Sequence, residues 1–185
     1  MRKNARFLTI EEIKSIPVQE LIQIMYKTVH GRGVGLAAPQ IGYSLQIAVV
    51  EDLEEYISSL PIEVREERER DPVPFYVLIN PKIIWLDKEE ASFFEGCLSI
   101  SDKARIVPRA KRITVSYLDE QGENHIITAK GWHARILQHE IGHLNKTLYI
   151  DVSDSRTEVT MDEYKNHWVY ARSSEIQKFY CERMQ

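Results

Sequence analysis

The chain has 185 residues, 43% of them hydrophobic and 28% charged. That length suits one domain burying roughly 70% of its unfolded surface, and the composition excludes collagen-like, disordered acidic and disulfide-dense secreted classes. Lys and Arg number 24 against 28 Asp and Glu, a net charge of −4, so no concentrated positive field exists for phosphates and direct DNA binding is not expected. Cys97 and Cys181 show no spacing that demands a disulfide and read as thiols of a reduced compartment. No apolar run approaches the ~20 residues of a membrane-spanning helix, so no membrane association is expected. The basic N-terminus lacks the apolar core and cleavage site of a secretory signal.

Thr9-Ile10-Glu11-Glu12 fits a capping box opening a short helical turn, which Pro17 is expected to end. From Val18, apolar residues at Val18, Leu21, Ile22, Met25, Tyr26 and Val29 define one helical face, and the helix stops at Gly31-Arg32-Gly33. Gly33 to Gly42 has neither period and reads as a tight, backbone-exposing loop or edge segment. Ile47 to Val50 is a short buried strand, and the charge run from Glu63 to Asp71 is a solvated loop or helix end. Phe75–Ile79 and Lys82–Leu86 are predicted as two strands broken at Asn80-Pro81; Ala104–Val107 and Ile113–Leu118 follow. Asp119 to Gly122 is a turn, with Ile126–Ala129 as the returning arm. Trp132 to Leu144 is a helix after Gly131, and Thr160-Met161-Asp162-Glu163, a second capping-box match, opens a C-terminal helix. Helix, many short strands and then helices indicate an α+β fold in a single domain, 1–185, with 159–185 as a C-terminal helical extension.

His139-Glu140-Ile141-Gly142-His143 is HExxH. On a helix, residues i and i+4 lie about 40° apart around the axis, so both imidazoles can share a metal with Glu140 beside them. A catalytic site of this kind needs a third ligand and an open position. Cys97 is a candidate: it follows Gly96, which would let the backbone turn and expose the thiol and the Leu98 N–H. Taken alone, Cys97 reads rather as a small buried hydrophobe.

Together, GVGLAAPQ (Gly33 to Gln40), EGCLS (Glu95 to Ser99) and QHEIGHL (Gln138 to Leu144) resemble, in order and spacing, the three signature motifs of peptide deformylases, GxGLAAxQ, EGCLS and QHExDHLxG. The resemblance runs from about Val18 to Thr157. It implies a peptide-deformylase-like fold, with short antiparallel or mixed strands around a central HExxH helix. It implies an enzyme of co-translational N-terminal processing, a hydrolase that removes the N-formyl group from formylmethionine of nascent polypeptides and releases formate. Cys97, His139 and His143 would hold one divalent metal, Fe²⁺ in most of the family, with Zn²⁺, Ni²⁺ or Co²⁺ as substitutes. The metal would activate a water, Glu140 would act as general base and then acid, and Gln40 with the Leu98 N–H would stabilise the oxyanion. Val34, Gly35 and Glu95 would line the peptide groove, while Val34, Phe93, Trp132 and Ile136 are candidates for the methionine pocket. The nascent peptide is the expected partner, at the ribosome surface. The lead-in from Gly131 and the charged insert before Phe75 resemble eukaryotic organellar members, which favours a mitochondrial or other organellar matrix over a bacterial cytoplasm.

The chain departs from the pattern at two positions. Gly142 stands where the family has Asp, which is expected to leave Arg109 without its partner and costs a helix interior roughly 1 kcal/mol relative to Ala. Lys146 stands where the family has Gly, at an expected positive-φ site. Met1 falls near where an additional N-terminal stretch of the family would end, consistent with a short gene product or a removed targeting sequence. Two competing readings are a zinc endopeptidase, for which His167 is the remaining downstream His, and a deformylase-like binding module without activity.

Overall fold

The computed structural model describes residues 3–185. Its elements are α1 (Ile10–Ile13), α2 (Ile16–Val29), β1 (Gly35–Ala37), β2 (Ile47–Asp52), α3 (Glu54–Ile57), α4 (Ile62–Glu67), β3 (Val73–Leu86), β4 (Glu90–Cys97), β5 (Ile100–Ala110), β6 (Arg112–Leu118), β7 (Asn124–Lys130), α5 (Gly131–Leu144), β8 (Val159–Thr160), α6 (Met161–Glu163) and α7 (Ser173–Met184). One sheet has the order β1-β2-β3-β6-β7 and a second has β4-β5-β8. The strand pairs of both are antiparallel, and a parallel bridge joins Arg6 to Leu45. The α+β class expected from the sequence is the observed one. No helix of the described residues is long and apolar enough to cross a membrane.

The apolar face of α2 is the one its spacing predicts. Val18, Leu21, Ile22, Met25 and Val29 are buried against Leu36, Val49, Val77 and Ile79 of the larger sheet. Each such side chain contributes roughly 1.5–3 kcal/mol on burial, which fixes the helix on the sheet. Thr9 caps α1 with both hydrogen bonds of the capping box. Pro17 does not end that turn. It sits in the first turn of α2, where its missing N–H has no intrahelical acceptor to lose.

Four more sequence expectations change. The segments flanking Asn80-Pro81 are one 14-residue strand with irregular register between Ile79 and Lys82. Asn80 adopts φ 52°, and its side chain acts as a surrogate backbone: Oδ1 accepts from the Leu8 N–H at 3.0 Å and Nδ2 donates to the Leu8 carbonyl at 2.8 Å. The charge run is solvated only in part. Arg68 is 4% exposed, and Arg70 forms a two-pronged ion pair with buried Asp52, 2.8 Å at each contact. Gly96 is extended backbone within β4 and the chain turns instead at Leu98-Ser99; a Cβ at Gly96 would lie 2.8 Å from Met161 Cε. Finally, the C-terminal helix is split. Thr160 accepts from the Glu163 N–H as expected, but the Glu163 carboxylate takes the Trp168 indole N–H at 3.1 Å. A wide helical turn, Tyr164–Trp168, then interrupts the path, and α7 begins only at Ser173.

The helix α5 packs against β1 and β2 of the larger sheet and against β5 of the smaller one, so it crosses the middle of the molecule. Its entry depends on Gly131, at φ 53°. A Cβ there would lie 2.6 Å from the carbonyl oxygens of Arg68 and Glu69. The absence of a side chain lets the 68–69 turn approach closely enough for the Trp132 N–H to reach the Arg68 carbonyl at 2.9 Å. At the other end, Gly142 leaves room for the chain to fold back: a Cβ would lie 3.2 Å from the Thr147 carbonyl oxygen, and the Thr147 N–H bonds to Gly142 O at 2.9 Å. Lys146 occupies the positive-φ site expected for it, at φ 58°.

Candidate active site and metal centre

Three separate segments converge on the middle of α5. Arg135, His139 and His143 share one stripe of the helix at i, i+4 and i+8. The end of β4 presents Glu95 and Cys97, two residues apart and both buried, to that stripe. The segment after β1 turns through a 3-10 helix, Ala38–Ile41, which carries Gln40. Cys97 Sγ lies 3.3 Å from His143 Nε2, which lies 3.2 Å from His139 Nε2. Among the described residues this trio is one of two groups of side chains close enough to share a metal ion. The other, Asp119, Glu123 and His125, is an exposed hairpin end whose groups already bond to one another and to the turn. His167 is in neither group and packs edge-on against Trp168.

The donor set fits a divalent ion. Two nitrogens each about 2.0–2.1 Å from a tetrahedral metal stand roughly 3.3 Å apart, close to the spacing observed here. The sulfur and two nitrogens leave a fourth position open. Glu140, between the two histidines on α5 and lining the same cleft, is 4% exposed, and its Oε2 has no hydrogen-bond partner among the described residues. Burial, partly offset by His139 and reinforced by Glu95, raises the Glu140 carboxyl to about 7. Burial first, and then the neighbouring His139, hold His143 down toward its neutral form, while against its burial Cys97 and Glu95 raise His139 to about 10.

Glu95 organises the surrounding charges. It accepts from Arg109 at 3.0 and 2.9 Å, from Arg135 at 2.7 Å, and bonds His139 Nδ1 at 2.9 Å. Burial pushes its carboxyl up, yet Arg109, His139 and Arg135 together bring it far below the usual carboxylate range, so it is ionised. Its bond to Nδ1 leaves His139 Nε2 aimed at the metal position. The expected loss of a partner for Arg109 is therefore corrected: β4 and β5 run side by side, and Glu95 supplies the carboxylate. Arg135 escaped notice because nothing in its local sequence separates a buried arginine from an exposed one; its i, i+4 relation to His139 was the available signal. Tyr149 was also missed. Its ring stacks 6.2 Å from that of His139, and its hydroxyl donates to the Lys103 carbonyl at 2.9 Å.

A cleft of about 430 Å³ opens from this centre. Val34, Gly35, Gln40, Glu95, Cys97, Leu98, Trp132, Ile136, His139 and Glu140 all line it. Gln40 Oε1 accepts from the Ala37 N–H at 2.7 Å, which turns its NH₂ toward Cys97 Sγ, 3.6 Å away, and Ser99 Oγ, 3.2 Å away. Phe93 is the exception among the expected lining residues. It lies outside the cleft, edge-on to Trp132 at 6.0 Å, beside the guanidinium groups of Arg68 and Arg135. Phe94 takes its place, with Met161 and Tyr164 closing the wall.

A family model described as polypeptide deformylase matches residues 2–159. The chain is 44% identical over 156 residues to peptide deformylase 1A, chloroplastic, of Solanum lycopersicum, covering 84% of this chain and 56% of that protein. It is 40% identical over 139 residues to peptide deformylase, mitochondrial, of Homo sapiens, covering 75% and 56%. The chain spans 56–61% of the length of the tomato protein and of its Arabidopsis thaliana counterpart. The Met-Ala-Ser-bound class I type b peptide deformylase of Acinetobacter baumannii superposes with a TM-score of 0.72 at 31% identity, over 82% of this chain and 90% of that one. Such matches in sequence and in fold, over most of the chain, establish that it belongs to the polypeptide deformylase family.

Proposed function

We propose that the chain is a peptide deformylase, hydrolysing the formyl amide of N-formylmethionyl peptides to formate and a free amine. The observation that carries this reading is the closure of Cys97, His139 and His143 onto one point, with the buried, half-unpartnered Glu140 beside it at the end of an apolar cleft. Cys97, His139 and His143 would hold a divalent ion, Fe²⁺ with Zn²⁺, Ni²⁺ or Co²⁺ as substitutes, which when bound would supply Lewis-acid polarisation of the formyl carbonyl and a more acidic attacking water. Glu140 takes the proton from that water and returns it to the amine nitrogen as the C–N bond breaks. The Gln40 NH₂ and the Leu98 backbone N–H donate to the oxygen that becomes negative, where each donor is worth roughly 10²–10³ in rate. Val34, Trp132, Ile136, Phe94, Met161 and Tyr164 supply an apolar surface for the methionine side chain. Its substrates are read as nascent chains at the ribosome surface; relatives named chloroplastic and mitochondrial support an organellar matrix, and Streptomyces ones a bacterial cytoplasm as the alternative.

The test is formate release from an N-formylmethionyl peptide by protein loaded anaerobically with Fe²⁺. Stoichiometric formate and new amine are expected; release no faster than from a Glu140→Ala control overturns the reading. The site also makes Gly35 sensitive. A Cβ at that position would lie 2.5 Å from Glu140 Oε1. Gly35→Ala should therefore push the carboxylate aside and lower kcat by about 10²-fold, since misplacements of this size carry such losses. Turnover close to that of the unmodified protein, at an unchanged melting temperature, would contradict the placement of Glu140.

A further inference from the structure

Four cationic side chains line the cleft, Arg32, Arg70, Arg135 and Lys165, and Arg135 is committed to Glu95. Arg70 is committed to Asp52 and lies with its guanidinium 5.0 Å from the Trp132 ring. Arg32 and Lys165 differ. Both are exposed, and neither is ion-paired to a carboxylate among the described residues. The acidic groups lining the cleft are Glu95 and Glu140, both buried, and Glu95 is already shared by two arginines and His139. Asp162 and Glu163 precede Lys165 in the chain, but neither lines the cleft, and Glu163 holds the Trp168 indole. The free charge at the mouth is thus positive on a chain whose net charge is −4. Lys165, with Met161 and Tyr164, also lies beyond residues 2–159 of the family match, so this wall belongs to the chain's own C-terminal segment.

With a formyl group at Cys97 and Glu140 and methionine in the apolar middle, an extended peptide advances about 3.3 Å per residue and leaves through this mouth. We propose that the mouth selects formylmethionyl peptides carrying Asp or Glu in the first positions after methionine, with Lys165 and Arg32 as the selecting groups. The proposal rests on the deformylase reading. Its test compares kcat/KM for formyl-Met-Asp-Asp-Ser, formyl-Met-Ala-Ala-Ser and formyl-Met-Lys-Lys-Ser at low ionic strength. The acidic peptide is expected to exceed the basic one by about tenfold, the effect of two exposed cations before screening, and the ratio should shrink as salt is added. The difference should reside in KM, with kcat within about twofold. In the Arg32→Glu/Lys165→Glu double variant the ratio should fall to one or invert. Lys178→Glu, on α7 at a side chain 80% exposed and outside the cleft, should keep the original ratio. A ratio near one, or a ratio that survives the double charge reversal, overturns the proposal. If the Ala-Ala peptide yields no formate, the deformylase reading has failed instead. Titration of the three peptides against tryptophan fluorescence then still measures the charge preference, and equal dissociation constants overturn it.

Discussion

Glu95→Gln is expected to lower folding stability by roughly 3–5 kcal/mol, the cost of stripping the countercharge from a buried ion pair. The substitution keeps the shape of the side chain, removes its charge and turns one acceptor oxygen into a donor NH₂. Arg135, whose side chain is 5% exposed, and Arg109, at 12%, then remain inside the protein with no carboxylate between them. The Arg135 guanidinium keeps its bonds to the carbonyls of Val107 at 2.9 Å and Ala91 at 2.6 Å, and these neutral acceptors do not offset its desolvation. His139 loses the bond that orients its ring, so the variant should also bind metal more weakly, by about 10–100-fold. A urea midpoint and a metal titration on the same preparation check both effects. A stability loss below about 1 kcal/mol would mean that solvent reaches this cluster, contrary to its burial.

Glu140→Gln is expected to reduce formate release by about 10²–10⁴-fold while leaving metal content and stability near those of the unmodified protein. Gln occupies the same volume but cannot take a proton from water. Glu140 Oε2 has no partner to lose, so no structural bond breaks at that atom. This separates the variant from Glu95→Gln, where stability and metal affinity fall together. A loss smaller than about tenfold would remove Glu140 from the proton path and favour a water or another group as base.

Much of the site could be read from the sequence because its parts are short-range. The spacing of His139 and His143 is a property of one helix, and EGCLS carries Glu95 and Cys97 two residues apart on one strand. The apolar face of α2 is likewise periodic within 12 residues, Val18 to Val29. What escaped depends on partners distant in the chain. Arg70 reads as one of many charges until Asp52 lies beside it, and Arg68 until two aromatic rings pack against it. Phe93 lies outside the cleft because Trp132 and the guanidinium groups of Arg68 and Arg135, all distant in the chain, pack around its ring. Asn80-Pro81 signals a break in general, and only the Leu8 backbone shows why the strand continues through it. Thr160 marks a helix start correctly, yet the diversion of Glu163 to Trp168 and the wide turn that follows have no periodic signature.

The central claim is that Cys97, His139 and His143 hold one ion between them. X-ray absorption at the zinc edge of Zn²⁺-loaded protein measures this directly. The expected spectrum has one sulfur at about 2.3 Å and two imidazole nitrogens at about 2.0–2.1 Å, and the sulfur contribution should vanish in Cys97→Ala. A spectrum of nitrogen and oxygen alone, or a sulfur that persists in Cys97→Ala, would contradict the account.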